Sequence, residues 1–259
     1  MKIGLALSGG EGMACYIGVL RILRRANIEF DMISGVSTGA VVAALWAAGY
    51  TAEELECRLQ YGREKSPHPL AQRLSEEHLA GQMAQLLEEK NIYQMEQFPI
   101  PVAIPAVDLS TGKTVYFVSR KESLLDSQEA IFRQDVEVAR AVRASLSCPV
   151  ALPPIPIQGM QLVDGGLREA MPVTVLKTMG ADRVLALRTR AGEPGKVWGP
   201  VQAAARSLEI VGRLQQGERY ADYVLEVVPP ADERWARGVR AGEVQAEQVL
   251  PDIEKALYE

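Results

Sequence analysis

Between Ile3 and Leu45 the chain alternates two short apolar runs with two glycine-bracketed turns and two helical stretches. Ile3–Leu7 is apolar and of strand length, and the turn Gly9-Gly10-Glu11-Gly12 follows it. Ile17, Leu20, Ile22 and Leu23 then recur at helical spacing to about Ala26, and a second strand enters at Asp31–Ser34. Strand, turn, helix, strand is the opening of a parallel sheet. Two parallel neighbours need a crossover of this length, and the right-handed one packs back onto the sheet.

The second strand runs into Gly35-Val36-Ser37-Thr38-Gly39 and then the small-residue helix Ala40-Val41-Val42-Ala43-Ala44-Leu45. This is G-x-S-x-G between a strand and a helix, the setting in which the motif carries chemistry. Gly35 and Gly39 flank the serine two positions away on either side and permit a sharp turn with close backbone approach. The turn presents Ser37 at the start of a helix, whose free N–H groups can stabilise a developing oxyanion. Alone, the same five residues equally suit a plain tight turn with a serine cap.

With 259 residues, 47% of them hydrophobic, the chain is long enough for one large α/β domain with a substantial core. A net charge of −5 argues against nucleic acid as a partner. No apolar run approaches the ~18 residues that span a bilayer, and the Met1–Leu7 segment reads as a buried strand rather than a signal peptide. Cys15, Cys57 and Cys148 are scattered and lack metal-ligand spacing, so reduced thiols in a cytoplasm are expected and no metal or cofactor is. The two histidines, His68 and His78, both precede the place where an α/β-hydrolase triad puts its histidine. A nucleophilic Ser37 therefore needs another base.

Residues 51–98 alternate acidic pairs with Leu and Met at helical spacing, broken by Pro67 and Pro69. They read as amphipathic helices inserted over one edge of a single domain spanning 1–259, either a solvated surface insertion or a lid. Val102–Val107 and Thr114–Val118 are strands joined by the polar turn Asp108-Leu109-Ser110-Thr111-Gly112-Lys113, a hairpin pattern. A helix follows over Val136–Ala144, then extended chain enforced by Pro149, Pro153, Pro154 and Pro156. Leu162-Val163 enters the tight turn Asp164-Gly165-Gly166. Further elements are a helix at Val173–Met179, a strand at Val184–Leu187, a helix at Val201–Gln216, a strand at Val224–Val228 and a closing helix over about Ala241–Tyr258. The glycine turn does not fit a dinucleotide fingerprint: Gly9, Gly10 and Gly12 miss its register, and Asp31 begins the second strand instead of ending it.

The glycine turn, the Ser37 turn, Ala144-Ser145-Leu146-Ser147-Cys148-Pro149 and Asp164-Gly165-Gly166, in that order, resemble the patatin-like phospholipase family. The likeness extends over nearly the whole chain, including Asp108–Gly112 and Met179-Gly180-Ala181-Asp182. It implies a three-layer α/β/α sandwich with a mainly parallel central sheet. It also implies a serine acyl-ester hydrolase acting on lipid carboxylic esters through a Ser-Asp dyad, with Ser37 as nucleophile and Asp164 as base. Gly9 and Gly10 would then donate backbone N–H groups to the oxyanion, while Gly165 and Gly166 let the chain bring Asp164 close. The family pattern in the first turn is nearer G-G-G-x-R/K-G, whereas this chain is one residue shorter and has Glu11 and no basic residue. The alternative is accordingly a weakly active or non-catalytic lipid-binding relative. Pro172 is kept after Asp164-Gly165-Gly166, but the run Leu167-Arg168-Glu169-Ala170-Met171 lacks the Asn the family often has before the proline; Arg168 and Glu169 are expected to be exposed, the alternative being altered polar contacts at a pocket rim. Met13, Tyr16, Trp46 and Leu152 suit plain core better than an acyl pocket. The expected partner is a lipid or small acyl ester, with any membrane contact transient and a homo-oligomer compatible with the sequence.

Overall fold

The structure, a computed structural model, describes residues 1–10, 12–64, 71–122, 124–149, 152–190, 217–230 and 235–259 and the isolated positions 203, 207, 210 and 211; in 60–64 and 71–77 it describes the backbone alone. Glu11, Pro67, His68 and Pro69 lie outside the described residues, as does most of the helix expected over 201–216.

The chain runs β1 (Ile3–Leu7), α1 (Met13–Arg25), β2 (Met32–Gly35), α2 (Thr38–Ala47), α3 (Ala52–Glu64), α4 (Ala71–Glu89), β3 (Val102–Asp108) and β4 (Thr114–Val118). It continues through β5 (Ala130–Arg133), α5 (Val138–Ser145), β6 (Ile155–Ile157), β7 (Met160–Asp164), α6 (Val173–Thr178), β8 (Arg183–Thr189) and β9 (Tyr223–Val227) to a C-terminal helix, Trp235–Tyr258. The strands form one sheet in the order β5-β4-β3-β2-β1-β8-β9, with β7 also on β3 and β6 on β7. Pairing is parallel from β3 through β9 along this order and between β4 and β5, and antiparallel where β3 meets β4 and β7 and where β6 meets β7.

β1, β2 and β3 are buried along their whole length, as parallel strands covered on both faces must be. Successive side chains point to opposite faces. Leu5, Leu7, Ile33, Leu185 and Leu187 join the main core with α1, α2, α5 and the C-terminal helix. Ala6, Met32, Val184 and Ala186 pack against Val173 and Leu176 of α6 on the other face. The result is the mainly parallel α/β sandwich expected. In the 51–98 region, Leu55, Leu59, Met83, Leu86 and Leu87 belong to the main core. Arg21 of α1 pairs with Glu53 (3.0 Å) and Glu56 of α3 and with Glu243 of the C-terminal helix (2.7 Å).

β7 determines where the site lies. Ala106 and Val107 of β3 pair with Val115 and Thr114 of β4 and also with Asp164 and Val163 of β7. A strand has two edges, so β7 occupies the edge opposite β4, which is the edge β2 uses lower down at Ala103. β2 runs parallel to β3 and β7 antiparallel to it, so the two strands approach head to head. Their last paired positions, Ser34 and Asp164, face Ala103 and Ala106, a separation of roughly 10 Å along β3. Both chains turn away from the sheet in that gap.

Candidate active site

Ser37 follows the end of β2 with φ 54° and ψ −125°. This is a left-handed backbone for a residue with a Cβ, a conformation that typically costs about 1–3 kcal/mol and persists only where its surroundings impose it. The constraints are visible. The Ser37 N–H donates to Ser145 Oγ at 3.0 Å, and the Gly39 N–H donates to the Val36 carbonyl at 2.9 Å. A Cβ on Gly39 would fall 2.5 Å from the Ser8 carbonyl oxygen, so only glycine lets α2 begin against the end of β1. The elbow leaves Ser37 half-buried at the head of α2.

Asp164 ends β7 and is 8% exposed. Its N–H donates to the Ser147 carbonyl at 3.0 Å, and one carboxylate oxygen accepts the Gly166 N–H at 2.8 Å, capping the short helical turn Gly165–Leu167. Burial pushes its carboxyl up to about 6, against the opposing pull of the Gly166 N–H and of the neighbouring Ser37 hydroxyl. The two residues, far apart in sequence, are brought together. His78 is exposed on α4, and among the described residues no cluster of His, Cys, Asp and Glu could hold a metal ion.

One segment braces both residues. Ser145 takes the Ser37 N–H on its hydroxyl, and Ser147, two residues on, takes the Asp164 N–H on its carbonyl. Both serines are fully buried. The sequence marked this stretch as a motif but gave it no task. The signal was there: hydroxyls at the end of a helix whose other inward residues, Ala141, Val142 and Ala144, are apolar. The Asp108–Gly112 turn has a related part. The buried Asp108 carboxylate accepts the Ser110 N–H, the Thr111 hydroxyl and the Gln161 N–H. It thereby ties the hairpin to β7 and sets the strand that ends in Asp164.

The glycine turn lies directly against the serine. A Cβ on Gly9 would fall 2.8 Å from Ser37 Cβ and 3.4 Å from its Oγ. Gly10 has φ 115°, open to glycine alone at little cost. Among the described residues, the N–H groups of Gly9 and Gly10 donate to no protein acceptor.

Arg168 is exposed as expected and pairs with Glu129 at 2.5 Å. Glu169 is not exposed, contrary to expectation. It is buried, accepts the Tyr116 hydroxyl and the Thr174 N–H, and is pushed up to about 7 by burial. The physical reason is the start of α6, whose unpaired N–H groups need an acceptor that this carboxylate supplies. Met13 and Tyr16 are buried in the main core with Trp46 packed against it, and Leu152 is buried too.

A serine in a strained strand-to-helix elbow thus lies beside a buried carboxylate and the Gly9-Gly10 turn. The chain belongs to the patatin-like phospholipase family, whose model matches residues 5–177 and so contains the glycine turn, Ser37 and Asp164. Lysophospholipase NTE1 of Mycosarcoma maydis is 30% identical over 205 residues, covering 72% of this chain and 10% of that protein. An uncharacterized NTE family protein of Mycobacterium bovis is 29% identical over 205 residues, 75% of this chain and 51% of the relative. The chain thus spans about half of one of these relatives and a tenth of the other. Among solved structures, VipD of Legionella pneumophila superposes with a TM-score of 0.55 at 14% identity, over 97% of this chain and 66% of that one. Human GIVD cytosolic phospholipase A2 gives 0.51 at 12% identity, over 99% and 60%. Both share the fold. Among the described residues no helix is long and apolar enough to cross a membrane.

Proposed function

We propose that the chain hydrolyses carboxylic esters of lipids, with Ser37 as nucleophile and Asp164 as its base. The observation that carries this reading is the buried Asp164 carboxylate, raised to about 6, with the Ser37 hydroxyl as its neighbour. A carboxylate near its ordinary value of ~3.9 is a poor base at neutral pH, whereas one near 6 holds a proton better while staying mostly ionised at pH 7. Ser37 Oγ attacks the acyl carbonyl as its proton passes to Asp164, and the oxyanion is received by the Gly9 and Gly10 N–H groups. The tetrahedral intermediate expels the alcohol, which takes the proton from Asp164, leaving an acyl group on Ser37. Asp164 then deprotonates a water, which releases the fatty acid and restores the serine. The names of the relatives, a lysophospholipase and a phospholipase A2, favour a glycerophospholipid or its lyso form as substrate.

A second reading, a nearly inactive lipid-binding relative, is favoured by one feature: the first turn carries Glu11 and no basic residue. Fatty-acid release from lysophosphatidylcholine and from p-nitrophenyl esters separates the two. Hydrolysis that falls about 10³-fold or more in both Ser37→Ala and Asp164→Asn, with folding intact, supports the dyad. Lipid binding without turnover in the parent protein supports the second reading.

A further inference from the structure

We propose that three hydroxyls, those of Ser8, Thr38 and Thr189, clamp the Gly9-Gly10 turn, that the hold on the Gly9 carbonyl aims the Gly10 N–H toward Ser37, and that Thr189 is a positioning residue for the oxyanion site. The proposal deepens the hydrolase reading and rests on it. A turn made of two glycines can rotate its peptide planes at little steric cost. A Gly9–Gly10 peptide turned over would present a carbonyl oxygen, and not an N–H, to the developing negative charge. In a trans peptide the carbonyl and the following N–H point to opposite sides, so whatever fixes the carbonyl also aims the N–H.

Both carbonyls of this turn are held. The Gly9 carbonyl accepts the Ser8 hydroxyl and the Thr189 hydroxyl, each at 3.1 Å. The Gly10 carbonyl accepts the Thr38 hydroxyl at 2.7 Å, from the residue after the nucleophile. Behind them, Tyr16 Oη lies 2.7 Å from Ser8 Oγ. With the single Ser8 hydroxyl proton on the Gly9 carbonyl, as the clamp requires, Tyr16 is the donor to Ser8. Burial drives the Tyr16 phenol far above its usual range and keeps it protonated in that role. The Thr189 N–H also reaches Ser8 Oγ, at 3.4 Å.

Thr189 is well placed for the task. It ends β8, which pairs with β1 up to Leu7 and Leu187, and the Ser8 N–H continues the ladder to the Leu187 carbonyl at 3.0 Å. Its hydroxyl fits against the bare face of Gly10, where a Cβ would fall 2.6 Å from Thr189 Oγ1. A neutral clamp of hydroxyls therefore stands in a turn that carries no basic side chain.

Thr189→Val removes the hydroxyl and keeps the shape, and Thr189→Ser keeps the hydroxyl. In the Val variant, kcat for a p-nitrophenyl ester is expected to fall about 10- to 100-fold, less than or equal to the loss of a whole oxyanion donor, with KM within about twofold. The Ser variant recovers most of that loss. The proposal is overturned if the Val variant keeps kcat within about twofold, or if Ser loses as much as Val. A second measurement does not need turnover. In protein labelled with 15N-glycine and carrying Ser37→Ala, adding Thr189→Val should lower the 15N heteronuclear NOE of the Gly10 amide about twofold or more, as the released turn gains motion on the ps–ns timescale. An unchanged Gly10 amide overturns the clamp. A parent protein that neither turns over esters nor reacts with a fluorophosphonate would remove the hydrolase reading, and the glycine amide would still decide the clamp.

Discussion

Replacing Asp164 by Asn separates what this carboxylate does for chemistry from what it does to folding. The amide keeps an oxygen for the Gly166 N–H, 2.8 Å away in the parent, and removes the charge from a buried site. The carboxyl stands at about 6 in the folded chain against an ordinary 3.8. A folded value above the unfolded one means that its contribution to stability is fully present below about 3.8 and is lost as pH rises through about 6. At about 1.4 kcal/mol per pH unit, ionised Asp164 penalises the native state by about 3 kcal/mol at pH 8. For a chain of this size that is on the order of 5 °C in melting temperature. Asp164→Asn should therefore melt higher than the parent at pH 8, with the advantage shrinking through pH 6 and vanishing near pH 4. Glu169, also raised by burial, is common to both proteins and cancels from the difference. Ester hydrolysis should collapse in the same variant. Differential scanning calorimetry from pH 4 to 8.5 makes the comparison. Melting curves that stay parallel across that range would refute the buried, elevated carboxyl.

Ser37→Gly should raise stability relative to Ser37→Ala by about 1–3 kcal/mol, since glycine alone relieves φ 54°; urea titration reads the difference, and equal midpoints would contradict a strained elbow. Ser145→Ala leaves the Ser37 N–H without its 3.0 Å acceptor and should lower stability by about 1–3 kcal/mol and slow turnover, readable by thermal melts and ester assays on the same sample. Gly39→Ala places a Cβ 2.5 Å from the Ser8 carbonyl oxygen; because both sides are backbone, soluble yield and melting temperature should drop sharply, whereas an unperturbed protein would show that α2 and β1 can part.

Much of the frame was readable because its physics is local. Apolar runs of strand length, the glycine turn and the elbow gave β1, α1, β2 and α2 nearly in place, and the turn at Asp108–Gly112 gave the β3–β4 hairpin. β5, Ala130–Arg133, escaped because a short edge strand with mixed residues has no strong period. β6, Ile155–Ile157, contains Pro156, which weakens any strand pattern. The C-terminal helix begins at Trp235, earlier than the expected Ala241, and runs through Pro251. There packing overrides propensity: Gly18 of α1 and Gly242 of the helix have no room for a Cβ against the opposing backbone. At the site, the motifs named Ser37 and Asp164, but the head-to-head meeting of β2 and β7 depends on register along β3, which no local pattern encodes. The parts played by Ser145, Ser147 and Thr189 and the inward turn of Glu169 depend in the same way on tertiary partners.

The dyad can be tested at its covalent step. Native protein treated with a fluorophosphonate and digested for mass spectrometry should carry one adduct, on the peptide containing Ser37. Labelling should be absent in Ser37→Ala and slower by about 10²-fold or more in Asp164→Asn, where the hydroxyl has lost its base. An adduct on a different residue, or equal labelling rates with and without the Asp164 carboxylate, would contradict it.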